Sequence, residues 1–340
     1  MRVLAPRVVF DHLAHLSDCR GLFEHARYTT PRPEHGYCVD DVARGLVVLS
    51  REPDPDPVVA GLAAHYLDFV LAAIAADGTC HNRMDATGAW RDQPGLGDWW
   101  GRALWGLGVA AAHAGTAADR ARALGGFRVA AGRRFPSVHA LAFAALGAAE
   151  LLRAQPQEPS ARNLLADAAR AIDATAGGAV WPWPEPRLRY GNGALVEALL
   201  LAGEVLADDH LLHRGVHLLE FLLALETRDG HLSVTPVGGR GPDDPNAAGF
   251  DQQPIEVAAL ADACATAHRI TGEHRWLVGV DLGWRWFLGD NDSGTPMMDE
   301  STGGGYDGLE RGGRNANQGA ESTLAALSTA QQARALVAPR

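Results

Sequence analysis

Six stretches of this 340-residue chain are apolar on nearly every side at helical spacing, and each follows a loop crowded with polar and aromatic residues. The loops are His35-Gly36-Tyr37-Cys38-Val39-Asp40-Asp41, Gly97-Asp98-Trp99-Trp100-Gly101-Arg102 and Pro136-Ser137-Val138-His139. Arg189-Tyr190-Gly191-Asn192, Phe250-Asp251-Gln252-Gln253 and Asn315-Ala316-Asn317-Gln318 complete the set. A helix that is apolar all round belongs in an interior. Helices of a second kind begin after short linkers at Pro57, Ala118, Ser160, Asp208 and Glu273. They carry arginines and carboxylates along one side, as a solvent-facing helix should.

The two kinds alternate, at roughly 55 residues per pair, a period that marks repeat architectures. Alternation of buried and amphipathic helices predicts an all-α fold, an (α/α)6 barrel of about twelve helices in a single domain over residues 1–340. All six polar starts would then open at one end. An irregular bundle or a solenoid of helical pairs would not require every inner helix to begin this way. The spacing predicts helices over 42–50, 58–75, 99–114, 119–131, 137–154, 161–175, 194–206, 209–226, 254–271, 273–288 and 316–330, with one or two more within 6–28. Strand signals are weak, with brief extension expected over 79–84 and 231–236.

Composition narrows the chemistry. All 30 basic residues are arginine, so Schiff-base chemistry, lysine-bound pyridoxal phosphate and a P-loop are excluded. The formal charge of −11 argues against a nucleic-acid or anionic-membrane partner. Four dispersed cysteines without a CxxC give neither a disulfide framework nor the usual zinc spacing, and neither metal nor cofactor is expected. Residues 1–10 lack the apolar core of a signal peptide, and no apolar run reaches the roughly 18 residues of a membrane span. A cytoplasmic location is expected; the oligomeric state is not legible.

Carboxylates, amides and indoles together suit a carbohydrate, whose ring faces stack on aromatics while polar side chains satisfy its hydroxyls. Glycoside cleavage needs two carboxyls, one protonated and one ionised. Asp40 and Asp41 repel one another at a helix start, which raises the pKa of one of them; an N-cap followed by an acidic first-turn residue is the structural reading. Glu185 follows Trp181 and Trp183 and would be partly desolvated. Asp251 precedes a helix in which Glu256 stands in capping-box register with Gln253. Asp307 sits in the glycine-rich 302–308 loop. Asn317 and Glu321, four apart, would share a helix face, and a buried Glu321 would need Arg44 or Arg102 as partner. Expected to bind or stack on substrate are His35, Tyr37, Arg44, Trp99, Trp100, Arg102, His139, Trp181, Trp183, Tyr190, Asn192, Gln252, Gln253, Tyr306 and Asn317.

The segment His35-Gly36-Tyr37-Cys38-Val39-Asp40-Asp41-Val42-Ala43-Arg44 resembles the HGYCTDDNAR segment of a family of bacterial carbohydrate-active proteins related to six-hairpin glycosidases. The resemblance runs over residues 18–330 and includes the 181–192 loop, the 251–256 segment and residues 303–322. It implies the same barrel and a carbohydrate ligand. Where the family tends to have Tyr-Asp-Asn-Ala, this chain has Tyr190-Gly191-Asn192-Gly193, so any role of that aspartate is lost here.

These residues point to a glycoside hydrolase working through Asp41 with Glu321 or Asp307, with Glu185 and Asp251 close behind. The alternatives are a sugar epimerase, glycosyl transfer or phosphorolysis with arginines as anion contacts, and a non-catalytic sugar-binding protein.

Overall fold

Runs of Ala and Leu, broken only where Gly, Pro, Asp or Asn intervene, set the helices, and short side chains let them pack closely. The computed structural model describes residues 6–337 except 175, 176, 179 and 246. Residues 1–5, and Thr175 at the end of the helix expected over 161–175, therefore lie outside the described residues. The helices are α1 (Asp11–His15), α2 (Val39–Ser50), α3 (Pro57–Ala73), α4 (Asp98–His113), α5 (Ala117–Ala130) and α6 (Val138–Ala154). They continue as α7 (Pro159–Asp173), α8 (Asn192–Leu206), α9 (Asp209–Leu225), α10 (Pro254–Thr271), α11 (Arg275–Phe287) and α12 (Ala320–Val337).

Packing follows the alternation. The even-numbered helices form a ring in which α2 meets α4, α4 meets α6, and so on through α10 against α12, and α12 closes on α2. The odd-numbered helices α3, α5, α7, α9 and α11 each pack outside the helix that precedes them, and short α1 takes the sixth outer place against α12 and α3. The protein is an all-α (α/α)6 barrel. Outer helices α3, α5 and α9 start at side-chain caps: Asp56 accepts from Val58 and Val59, Thr116 from Asp119, and Asp208 from Leu211.

Glycine brings α4 and α6 together. A Cβ on Gly108 would collide with the Gly147 carbonyl, and one on Gly147 with the Leu104 carbonyl. The seam needs backbone against backbone.

Helices α9 and α10 start where expected, and the remaining expected starts shift by one to four residues, the most at α2 and α12. Helix α2 begins at Val39 and its N-cap is Cys38, so Asp40 and Asp41 lie within the first turn and neither is the cap. Helix α12 begins at Ala320, not 316. Its early N–H groups are taken elsewhere: Gln318 donates to the Tyr28 carbonyl, Gly319 to Asp307, and Ala320 to the Glu24 carbonyl. Asn317 therefore lies before the helix and shares no helix face with Glu321. Helix α11 starts two residues later than expected, at Arg275.

Strand pairs are short: β1 (Ala26–Arg27) with β2 (Thr30–Pro31), β3 (Tyr37–Cys38) with β4 (Arg83–Met84), and β5 (Thr227–Arg228) with β6 (His231–Leu232). The pairs β7 (Met298–Asp299) with β8 (Gly304–Gly305) and β9 (Gly308–Glu310) with β10 (Gly313–Asn315) lie in the approach to α12. The extension expected at 79–84 contains β4, and that at 231–236 begins with β6.

Candidate functional site

The amino-terminal ends of α2, α4, α10 and α12, with the loop before α8, open onto a cavity of about 840 Å³, which no residue of α6 lines. A depression of that size is in the range of small-molecule sites. Helix α2 contributes Asp40, Asp41 and Arg44; α4 contributes Asp98 and Arg102; α10 contributes Glu256; and α12 contributes Glu321.

Arg44 is the centre. Its Nη2 lies 2.6 Å from Asp41 Oδ1 and 2.9 Å from Asp40 Oδ1, and its Nη1 lies 2.9 Å from Glu321 Oε2. The first two pairings follow from i, i+4 and i, i+3 spacing along α2. The third crosses the α12–α2 closure. The ion pair expected for Glu321 thus forms with Arg44, although the Glu321 side chain is 42% exposed and not buried.

The arginines set the two neighbouring aspartates apart. Asp41 is pushed up to about 8, first by burial, then by repulsion from Asp40, Glu321 and Glu24, against the pull of Arg44. For Asp40 burial acts upward as well, but Arg102 and Arg44 outweigh it and hold the carboxyl below its usual range. One carboxyl is protonated and its neighbour ionised near neutral pH, the separation that acid–base chemistry requires.

Arg102 differs from the other arginines of the cavity. Its side chain is 5% exposed and its guanidinium sits 3.7 Å from the Phe143 ring centroid. Nε lies 3.4 Å from Asp40 Oδ1, yet this buried atom has no hydrogen-bond partner. Burial lowers its pKa. Arg44 and Arg102 also bound a smaller void of about 40 Å³ deeper in the barrel, so the pair forms a floor between the two spaces.

Glu256 is likewise pushed up to about 8, chiefly by burial and next by Glu226. It makes no capping box with Gln253. Its carboxyl accepts from the Gly191 and Asn192 amides at 2.5 and 3.2 Å and from Asn192 Nδ2 at 2.8 Å, so it holds the start of α8 from the neighbouring helix.

Of the residues singled out in the sequence, Asp40, Asp41, Arg44, Arg102, Tyr190, Gln253, Asp307 and Glu321 line the cavity. Tyr190 is 43% exposed and donates its hydroxyl to Asp98 at 2.6 Å. Asp307 Oδ1 accepts from Gly319 N at 2.7 Å and Ser322 Oγ at 2.5 Å, an arrangement that caps α12.

The indoles do not line the cavity. Trp100 and Trp183 are fully buried, and Trp100 Nε1 donates to the Ala130 carbonyl. Trp181 packs edge-on against Phe221 and donates to the Glu185 carbonyl, and Trp99 donates to that of Cys80. These rings fill core space, which an indole at a helix start does as readily as it stacks on a ligand.

Several polar residues are also structural. Glu185 bonds His139 at 2.8 Å, and that ring stacks on Tyr190 behind the cavity wall. Gln252 is buried, donating to Gly249 and Asp292 and accepting from Trp286. Asn192 serves Glu256 and the Arg189 amide. Tyr37 is buried and donates to Asp18, while exposed His35 meets His25 edge-on. Tyr306 stacks under Arg314, Asn317 accepts from the Tyr28 amide, and exposed Asp251 lies outside the lining.

The lining includes residues that the sequence reading passed over: Glu24, His25, Cys38, Asn82, Arg83, Arg187 and Arg189 among them. The β3–β4 pair brings Asn82 and Arg83 beside α2, and the brief extension at 79–84 was their only signal. Glu24, Cys38 and Asp41 place possible metal-ligand atoms within 4.8 Å of one another. That cluster does not fit a metal. Arg83 pairs with Glu24, Arg44 with Asp41, and the Cys38 thiol, pushed up by burial, donates to Asn82.

No family model matches the sequence, and no curated protein matches it. Solved structures do. A sugar epimerase from a ruminal bacterium matches with a TM-score of 0.74 at 14% identity over 96% of each chain. A D-mannose isomerase matches at 0.73 and 11% identity, over 97% of this chain and 95% of its own. A structure described as a wild-type glycosidase matches at 0.59 and 18% identity, over 95% of this chain and 96% of its own. At these identities the likeness concerns the fold, the six-hairpin barrel seen here.

Proposed function

We propose that this barrel is a sugar-processing enzyme that moves a proton at the carbon beside the carbonyl of a reducing sugar, giving an epimer or an aldose–ketose pair. The observation that carries the reading is Asp41: a carboxyl at the cavity floor, protonated to about pH 8, beside the ionised Asp40 and bonded to Arg44. A general acid or base works best when its pKa lies near the working pH. The backbone likeness is greater to the epimerase and isomerase than to the glycosidase, at 0.74 and 0.73 against 0.59, which supports the same reading.

The ionised Asp40 takes the proton from carbon and the protonated Asp41 gives one back, Arg44 holds both carboxyls in place, and Tyr190 with its partner Asp98 offers an exposed ring to the sugar. Hydrolysis is the second reading. It is favoured by the same divergence of Asp40 and Asp41, since glycoside cleavage also needs one protonated and one ionised carboxyl.

Incubation with reducing mono- and disaccharides in deuterated buffer separates the two. Proton transfer at carbon yields a C2 epimer or ketose carrying solvent deuterium, and hydrolysis yields new reducing ends without it. Asp41→Asn should abolish either product. Turnover of neither kind across the sugar panel would refute the enzyme reading.

A further inference from the structure

We propose that the cavity takes a sugar bearing an oxyanion, a carboxylate or a phosphate, and that Arg102 receives that group. The inference rests on the reading of the cavity as a sugar site and narrows it to acidic sugars.

It starts from the pairing of charges. Arg44 serves Asp40, Asp41 and Glu321 at once, Arg83 is paired with Glu24, and Arg187 bonds Asp244 at 2.7 Å. Arg189 is 62% exposed and loosely paired with Glu185 at 3.8 Å. Arg102 is deeply buried and faces Asp40 at 3.4 Å, an ion pair without a hydrogen bond. Among the described residues its guanidinium makes no hydrogen bond at all, and its Nε is sealed from solvent.

Withdrawing Nε from water without giving it a hydrogen bond is costly, and the Phe143 ring and the charge of Asp40 offset only part of that cost, while the terminal nitrogens keep their hydrogen-bonding capacity for a ligand. A group entering the cavity recovers the remainder. A neutral hydroxyl offers a single weak acceptor. A carboxylate or phosphate offers two acceptors matched to the arginine fork, each bond strengthened by charge. Apart from Asp98, whose partner is the neutral Tyr190 hydroxyl, the cavity's acids would repel such a ligand little. Asp41 carries its proton below about pH 8, Asp40 and Glu321 share Arg44, and Asp307 is occupied at the start of α12.

The site is tested by calorimetric titration of the full chain with neutral hexoses, the matching uronates, the matching 6-phosphates, and inorganic phosphate alone. An acidic sugar should bind on the order of 10- to 100-fold more tightly than its neutral counterpart, the gain expected from hydrogen bonds to a charged group. Whether the uronate or the phosphate gains identifies the oxyanion. In Arg102→Gln the preference should vanish, the affinities for acidic and neutral sugars converging. Arg102→Lys, which keeps the charge and loses the fork, should lose more with uronates than with phosphates.

Equal affinity of the wild-type protein for neutral and acidic sugars would overturn the inference and leave the sugar reading standing, whatever the variants do. Persistence of the preference in folded Arg102→Gln would overturn the assignment to Arg102. Inorganic phosphate binding as tightly as any sugar phosphate would keep the anion site and remove the sugar. Failure of every sugar to bind would overturn both.

Discussion

Asp41→Asn separates a protonated carboxyl from an ionised one through stability alone. In the folded protein Asp41 titrates at about 8, raised first by burial. In the unfolded chain an aspartate titrates at about 3.9. Between these values the folded state holds a proton that the unfolded state has released, so the native protein loses stability as pH rises, by about 1.4 kcal/mol per unit. The loss is absent below the unfolded value and complete above the folded one. Asparagine stands in for the neutral acid: its Oδ1 still accepts from Arg44 Nη2, as Asp41 Oδ1 does at 2.6 Å. Stability of the wild type minus that of the variant should therefore fall by about 3 kcal/mol between about pH 5.5 and about pH 7.5. Urea unfolding at a series of pH values, followed by the fluorescence of the nine tryptophans, measures it. Titrations common to both proteins cancel in the difference. A flat difference would show that Asp41 does not retain a proton in this window. A difference confined to lower pH, with the wild type gaining as pH rises, would show an ionised Asp41 held by Arg44, and the acid–base assignment would go with it.

Two further substitutions probe the frame that holds the site. Gly147→Ala places a methyl against the Leu104 carbonyl where α4 and α6 touch, and overpacking there should cost about 1–3 kcal/mol, seen as a lower melting temperature with little change in helical circular dichroism at 20 °C. Recovery of wild-type melting would mean that the seam is not backbone against backbone. Glu256→Ala strips the Gly191 and Asn192 amides and Asn192 Nδ2 of their acceptor, at a cost of about 3 kcal/mol. Glu256→Gln, which keeps an acceptor and resembles the carboxyl protonated to about pH 8, should cost much less; equal losses from both would contradict the bonding to the start of α8.

The barrel was legible because its evidence is repetitive. Each inner helix repeats one statement, an apolar body after a polar start, and an error at a single start, such as the four residues before Ala320, leaves the alternation intact. The site is not repetitive, and its parts were legible to different degrees. Asp40, Asp41 and Arg44 stand at intervals of three and four residues, so local helix geometry brings them together and the sequence displays it. Arg83 arrives through a strand pair two residues long, too short for an alternation to register, and Glu24 through loop backbone bonds to Gly36 and Ala320. The tryptophans misled because solvent is absent from both a core and an occupied sugar site, and an indole is suited to either.

Glu321 is the most telling case. Nothing in its neighbourhood on α12 requires Arg44, which lies almost the whole chain away, and only closure of the ring sets α12 against α2. In an open solenoid those helices would be the two ends of the array. The 2.9 Å contact between Arg44 Nη1 and Glu321 Oε2 is thus a local consequence of the global topology. The same closure crowds a third carboxyl around Arg44, so that one guanidinium answers three acids while Arg102 faces Asp40 without a hydrogen bond.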